Sequence, residues 1–262
     1  MLSENGCLQL GIGSRTDIGR VRGNNEDSCL VSPRLNLFVV SDGMGGESHG
    51  ELASAIASDT IERYCSGAVA EDLIYYGELR RPDFSEKTYR LAHAVRLAND
   101  KIYETAQADP QLYGMGATVV SAWVEGLRLS LVHVGDSRAY LFRSNILRQL
   151  TSDHTLVAEQ IKRGIIKPED AHLSKMQNVL IRALGVQQEV DLDAAEHTLK
   201  EEDIVLLCSD GLTRMVPDAE IAETLTRCSD PQNSADSLVL LANEHGGEDN
   251  VSVIVVRVGG AS

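Results

Sequence analysis

Leu35 to Gly46, with the sequence LNLFVVSDGMGG, is the stretch from which the fold of this chain can be worked out. Its apolar residues, Leu37 to Val40, are β-branched, aromatic or aliphatic and predict a short buried strand. The run ends at Asp42, and Gly43 and two further glycines follow it. Glycine lets the backbone turn sharply and lets a ligand approach closely. A single Asp-Gly pair, however, indicates an ordinary turn more readily than a metal site.

The same arrangement of an apolar run and an aspartate recurs along the chain. Leu129–Val134 leads to Asp136, Ile204–Ser209 leads to Asp210, and Asp249 stands just before Val251–Val256. In an antiparallel sheet the end of one strand lies beside the start of its neighbour, so these carboxylates can converge with Asp42. Carboxylate and carbonyl oxygens are the ligands of Mg²⁺ and Mn²⁺. Four converging aspartates favour a divalent-metal site over four separate turns, although Asp136 alone is also typical of a turn residue.

The composition excludes several classes of protein. The formal net charge of -15 argues against a nucleic-acid binder, which needs a basic surface, and against docking on an anionic membrane. The five cysteines form no CxxC pair, which is typical of reduced thiols and predicts a cytoplasmic protein. Neither a signal peptide nor an apolar run of transmembrane length is found. We therefore expect no nucleic-acid or membrane partner.

Periodicity predicts an α+β protein in which helices flank packed antiparallel sheets, because strands and helices come in blocks without βαβ alternation. The predicted helices are 50–65, 85–107, 153–164, 218–227 and 231–245, and the predicted strands are 8–14, 28–32, 37–42, a strand-rich block 117–150, 190–198, 203–209 and 250–258. No repeat or change of composition divides the chain, so we predict one domain over residues 1–262. The mixed stretch 165–188 is either a lid or a plain surface excursion.

The candidate metal site defines a chemistry. Two divalent ions can share a water, lower its pKa and present it for in-line attack on phosphorus. Asp42 and Asp210 would hold the pair, Asp249 would complete one ion, and the carbonyl of Gly43 could serve the other. A phosphate near so many carboxylates needs a cation, and Arg22 is the best candidate for that guanidinium.

Two acidic residues follow Arg22 in the same polar loop. Glu26 and Asp27 could hold metal-bound waters, or they could simply cap the loop. Arg22 itself would be a solvated surface arginine if it stood alone.

A known family shares these motifs in this order. They are Arg22-Gly23-Asn24-Asn25-Glu26-Asp27, Asp42-Gly43-Met44-Gly45-Gly46, Gly114-Met115-Gly116-Ala117-Thr118, Gly135-Asp136-Ser137-Arg138, Ser152-Asp153-His154, Ser209-Asp210-Gly211 and Asp249-Asn250. The set spans nearly the whole chain and resembles the metal-dependent protein phosphatases (PPM, type 2C). It is most similar to the compact bacterial branch of that family.

The resemblance implies a four-layer α-β-β-α sandwich and the hydrolysis of phosphoserine and phosphothreonine in proteins. It implies two tightly bound Mn²⁺ or Mg²⁺ ions on Asp42, Gly43, Asp210 and Asp249, with a water that bridges them as the nucleophile. A third, weaker ion would be held by Asp136, with Asp210 shared. Arg22 would bind the substrate phosphate, and residues 155–187 would be a mobile flap that influences substrate choice.

The resemblance also bears on partners. Phosphorylated proteins would be the substrates, an opposing bacterial Ser/Thr kinase would be a natural partner, and we expect a monomer. Eukaryotic members carry a histidine, proposed as general acid, at the position of Met44, so the general acid is not assigned.

Two alternatives stay open from the residues. One is a regulatory module on the same fold that has lost catalysis, although Arg22, Asp42, Asp210 and Asp249 are all present. The other is a phosphohydrolase of small molecules, although no GxxxxGK[ST] loop is found.

Overall fold

Two antiparallel sheets pack face to face at the centre of the structure. The computed structural model describes residues 9–45, 49–68, 84–174, 176 and 179–259. The first sheet has the order β1 (Leu10–Asp17), β11 (Val251–Val258), β10 (Ile204–Cys208), β7 (Arg138–Arg143) and β8 (Ile146–Gln149). The second has the order β2 (Asp27–Ser32), β3 (Leu37–Met44), β5 (Val119–Glu125), β6 (Arg128–Val134) and β9 (Asp193–Thr198), and the short β4 (Gly116–Ala117) pairs with β3.

The apolar run of β3 serves two cores at once. Side chains alternate between the faces of a strand, so Phe38 and Val40 pack between the sheets while Leu37 and Val39 face the helices. All four are fully buried. A continuous apolar run is therefore what a strand between two apolar layers requires.

Helices cover the outer face of each sheet. α1 (His49–Cys65) and α2 (Glu86–Ala108) pack on the β3 sheet. On the other sheet lie α4 (Asp210–Thr213), α5 (Asp218–Arg227) and α6 (Pro231–Glu244). The predicted α+β fold, a four-layer α-β-β-α sandwich, is confirmed. No helix in the described ranges combines the length and the apolar character that a bilayer crossing requires.

An excursion separates β8 from β9. It contains α3 (Leu156–Lys162) and a 3₁₀ turn at Pro168–Leu173. Thr155 and Leu180 form an isolated bridge at its base, and Leu184 forms another with Ala117. The predicted helix 153–164 is shorter than expected, because Thr155 stands in an extended conformation and its Oγ1 accepts a hydrogen bond from the amide of Ala158. Part of this excursion lies outside the described residues.

Candidate metal centre

The first two carboxylates of the centre face each other across a strand pair. Asp27 at the start of β2 and Asp42 near the end of β3 are partners in the antiparallel register. Like charges directly opposite each other destabilise a sheet unless a cation lies between them. Asp27 and Asp42 are both half-buried.

Two more carboxylates come from the other sheet. Asp210 begins α4 immediately after β10, and Asp249 lies just before β11, which pairs with β10. The amide of Ser209 donates to the carbonyl of Ser252, so the end of one strand and the start of the other are fixed side by side. The structure therefore brings Asp210 and Asp249 to one edge, as the sequence pattern predicted.

Hydrogen bonds join these two pairs across the sandwich. Ser209 Oγ donates to Asp27 Oδ2 at 2.8 Å, and the Asn250 side-chain oxygen accepts from the amide of Glu26 at 2.8 Å. The Asn250 side-chain amide also donates to the carbonyls of Ile18 and Asn24. Ser209 and Asn250 both belong to motifs of the sequence, but the sequence alone assigned neither of them a role. One indication of their roles was present in the sequence, since Ser209 is adjacent to Asp210 and Asn250 is adjacent to Asp249.

Asp136 joins the centre through a threonine. Thr118 Oγ1 accepts from the amide of Asp42 at 3.2 Å and shares a hydrogen bond with Ser137 Oγ at 2.7 Å. Gly135, with φ of +102°, makes the turn before Asp136, and a Cβ there would meet Thr118 at 2.6 Å. This link was not foreseen, because β5 and β6 place Thr118 and Ser137 together only in the folded chain.

The electrostatics of the centre call for cations. Burial, and then the charges of neighbouring aspartates, raise the pKa of Asp42 well above its usual range. The same causes raise the pKa values of Asp27 and Asp136 to about 7. Burial also raises the pKa of Asp210, against the opposing charge of Arg214. Buried carboxyl groups that raise one another's pKa in this way cannot all ionise unless positive charge is supplied.

The donor set fits hard divalent cations. Asp27 Oδ1 and Asp210 Oδ1 are buried and make no hydrogen bond among the described residues. Buried oxygens without a partner are costly, and a cation is a partner that satisfies them. The acidic side chains that converge here offer oxygen, the ligand type of Mg²⁺ and Mn²⁺.

Gly43 is held where only glycine fits. A Cβ at this position would lie 2.0 Å from the carbonyl oxygen of Gly50, so the first turn of α1 packs directly on its backbone. Its amide donates to the carbonyl of Glu26 at 3.1 Å. The Glu26 side chain lies at the margin of the acidic cluster. Burial raises the pKa of its carboxyl group, and the charge of Arg22 opposes that shift.

Two arginines contact the cluster from the solvent side. Arg22 Nη2 lies 2.8 Å from Asp249 Oδ2, and Arg214 Nη1 lies 3.2 Å from the same oxygen and 3.5 Å from Asp210 Oδ2. Arg22 was selected from the sequence, but Arg214 was missed. Its signal was the i,i+4 spacing from Asp210, which places both residues on one side of a helical turn.

Histidines form a separate group beside the centre. His133 and His154 stack at 4.6 Å, and His154 Nε2 lies 3.5 Å from Asp193 Oδ2. These three side chains could hold an ion, but Arg182 Nη1 already lies 3.2 Å from His154 Nε2 and 3.1 Å from Asp193 Oδ1. The guanidinium therefore supplies the positive charge there. The amide of Gly135 donates to His154 Nδ1, so the group supports the turn before Asp136.

Comparison with known proteins agrees with this arrangement. The sequence profile of the protein phosphatase 2C family matches residues 20–242. The serine/threonine phosphatase Stp of Listeria innocua is 37% identical over 250 residues, which cover 93% of this chain and 94% of the relative. The serine/threonine protein phosphatase PstP of Mycobacterium tuberculosis is 37% identical over 251 residues, or 96% of this chain and 45% of PstP.

Solved structures share the fold as well. The crystal structure of the M. tuberculosis phosphatase PstP superposes with a TM-score of 0.84 at 35% identity and covers 97% of this chain and 100% of that one. The catalytic domain of PstP in complex with two manganese ions gives a TM-score of 0.82 at 36% identity, with the same coverage. Profile, sequence and structure agree, and this chain belongs to the protein phosphatase 2C family.

Proposed function

We propose that this chain is a protein serine/threonine phosphatase that hydrolyses phosphoserine and phosphothreonine with the help of divalent cations. The observation that carries the proposal is the convergence of Asp27, Asp42, Asp136, Asp210 and Asp249 from both sheets. Two of their buried oxygens have no hydrogen-bond partner in the part of the chain that the structure describes. The relatives named above are serine/threonine phosphatases, and one of them binds two manganese ions.

The residues divide the work of holding cations. Asp42 and Asp210, which come from different sheets, would hold a pair of ions together, with Asp249 and the carbonyl of Gly43 completing one ion each. Asp27 and Glu26 would orient waters on these ions. Asp136, with Asp210, would hold a third and weaker ion. Mn²⁺ is the first candidate and Mg²⁺ the second, since both prefer oxygen ligands.

Bound cations would supply a water of lowered pKa as the nucleophile and would neutralise the charge of the phosphate. Arg22, whose side chain is 52% exposed, would bind two phosphate oxygens through its guanidinium group. The oxygen of that water would bond to phosphorus, and the bond from phosphorus to the serine or threonine oxygen would break. The proton that the water loses would balance the proton that the released oxygen takes up. Met44 carries no titratable proton, so the proton comes from another group.

The proposed substrates are phosphorylated proteins, among them a cognate bacterial Ser/Thr kinase. Residues 1–262 would act as one domain, and residues 155–187 would be a flap that influences substrate choice. The described cysteines are all free thiols, which suits the proposed cytoplasmic location. The proposed oligomeric state is a monomer. A phosphoproteomic comparison of cells with and without this protein tests the kinase, and an unchanged phosphorylation state of the kinase would contradict that partner.

The decisive experiment measures phosphate release from a phosphothreonine peptide. Activity should vanish in EDTA and return with Mn²⁺ or Mg²⁺, and ATP should be hydrolysed far more slowly than the peptide. Mn²⁺ binding by calorimetry without any turnover would support a regulatory module instead. Faster hydrolysis of ATP would point to a phosphohydrolase of small molecules.

A further inference from the structure

Arg214 is a cation of the centre to which the proposed function gives no role. It follows α4 at the C-cap position, and its side chain is 32% exposed. Its Nη1 atom makes a charge-assisted hydrogen bond of 3.2 Å to Asp249 Oδ2 and a longer contact of 3.5 Å to Asp210 Oδ2. It therefore touches two of the proposed metal ligands.

Arg22 reaches the same oxygen from a different part of the chain. Because both guanidinium groups contact Asp249 Oδ2, their two nitrogen atoms can be no further apart than the sum of the distances 2.8 Å and 3.2 Å. Two guanidinium groups this close can bind different oxygens of one phosphate. We call Arg22 and Arg214 the arginine pair.

A dication that binds Asp249 changes what the arginine pair can do. The other oxygen of Asp249 already accepts the amide of Asn250, at 2.9 Å, so the cation and the arginine pair compete for Oδ2. Within the described residues, the side-chain hydrogen bonds of the arginine pair all go to Asp210 and Asp249. When cations take these carboxylates, the guanidinium donors need a new anionic acceptor.

We propose that Arg214 is a second phosphate-binding residue, and that the arginine pair holds Asp249 until a divalent cation takes it and then binds the phosphoryl group. The inference rests on the proposed phosphatase function. It also gives the substrate class a chemical form, a phosphate ester with oxygens free to meet two guanidinium groups. Asp249 is only 18% exposed, so the more exposed arginines lie on the side from which such a substrate arrives.

The first test is calorimetric binding of Mn²⁺ alone to the wild type and to Arg214→Gln. Glutamine keeps much of the length of the side chain and removes its charge. Because a competing cation is lost, we expect Mn²⁺ to bind roughly two- to fivefold more tightly, as the strength of a partly exposed ion pair allows. Arg227→Gln removes the same charge from an exposed position at the end of α5 and should leave Mn²⁺ affinity unchanged. Unchanged or weaker binding in Arg214→Gln would overturn the competition.

The second test titrates inorganic phosphate into the Mn²⁺-loaded proteins. Arg214→Gln should bind phosphate at least about tenfold more weakly, because charge-assisted hydrogen bonds are lost. Arg214→Lys should fall between the two, since lysine keeps the charge but not the planar fork. Unchanged phosphate affinity in Arg214→Gln would overturn the proposal and leave Arg214 as a counter-ion of Asp249 only.

These binding measurements are independent of turnover. Suppose that Arg214→Gln shows both expected changes in binding, but the wild type releases no phosphate from the peptide. That result would refute the proposed function and leave the assignment of Arg214 intact. Far-UV circular dichroism would check that the variants are folded. If Arg214→Gln does not fold, Arg214→Lys still tests the proposal.

Discussion

At the scale of single residues, the centre brings together side chains that repel one another. Asp27 and Asp42 face each other in the strand register, and the charges of Asp136 and Asp210 act on the same group. Such a cluster lowers the free energy of unfolding when no cation is present. The carboxylates must either stay charged close to one another or take up protons on folding. The residues that make the chemistry possible are therefore expected to oppose stability.

Asp42→Asn separates the contribution of this carboxylate to catalysis from its effect on stability. Turnover should be abolished, because a neutral amide cannot hold two dications together. In EDTA the variant should be more stable than the wild type by about 1 kcal/mol, or a few degrees in melting temperature, because one repelling carboxyl is gone. Scanning calorimetry checks the stability and the phosphopeptide assay checks the turnover. Near-normal turnover would refute the proposed binuclear centre.

Asp203→Asn is the matched control for this experiment. Asp203 is also a buried carboxylate, but Arg143 donates to both of its oxygens. Its replacement should therefore destabilise the protein, because the guanidinium loses an ionic partner. An increase in stability for both variants would mean that relief of repulsion is not the cause.

Arg22→Ala should weaken phosphate binding and leave the metals in place. Loss of a hydrogen bond to a charged group, about 1.5–3 kcal/mol, predicts a KM for the phosphopeptide that is raised roughly tenfold to a hundredfold. Elemental analysis should show the manganese content of the wild type. A variant that has lost its metal would show that Arg22 has a structural role instead.

At the scale of elements, the centre depends on how closely α1 approaches β3. A Cβ on Gly43 would lie 2.0 Å from the carbonyl of Gly50, while one on Gly23 would meet nothing within 4 Å. Gly43→Ala should therefore lower stability by about 1–3 kcal/mol through overpacking, and it should reduce activity by displacing α1 from the proposed metal ligands. Gly23→Ala should unfold like the wild type, and equal denaturation midpoints for both variants would contradict this packing.

The elements themselves could largely be predicted from the sequence. The apolar run of β3 and the three- and four-residue spacing of α1 and α2 depend on local pattern, and all three elements lie close to their predicted positions. The excursion could not be predicted to the same degree. Its helix is short, and its base is fixed by bridges such as Thr155 with Leu180, which no local pattern encodes.

The site divides in the same way. Asp42, Asp210 and Asp249 were found because each stands at the end or the start of an apolar strand. Thr118 and Ser209 were given no role, because a hydroxyl that accepts or donates across the fold has no signature in the sequence. Arg214 was missed because its partners only become apparent once α4 lies beside Asp249.

At the scale of the whole molecule, cations should stabilise the fold as well as permit chemistry. A ligand that binds only the folded state adds about 2.7 kcal/mol per site at a hundred times its dissociation constant. For a domain of this size, Mn²⁺ should raise the melting temperature by roughly 5–10 °C over the value in EDTA. Calorimetry with and without Mn²⁺ checks this expectation. Asp210→Asn should show a much smaller rise, and an equal rise in that variant would place the stabilising ion elsewhere.

The pairing of β1 with β11 has a consequence for how the protein is made. These strands lie at opposite ends of the described chain, with Leu10 opposite Val258 and Asp17 opposite Val251. During translation β1 emerges first and cannot pair until β11 has been synthesised. β10 likewise pairs with β11 only at that point. Asp249, just before β11, is likewise the last of the carboxylates to leave the ribosome. A nascent chain therefore stays without a complete acidic cluster until β11 has been made, so the proposed centre cannot act before its own sheet has closed.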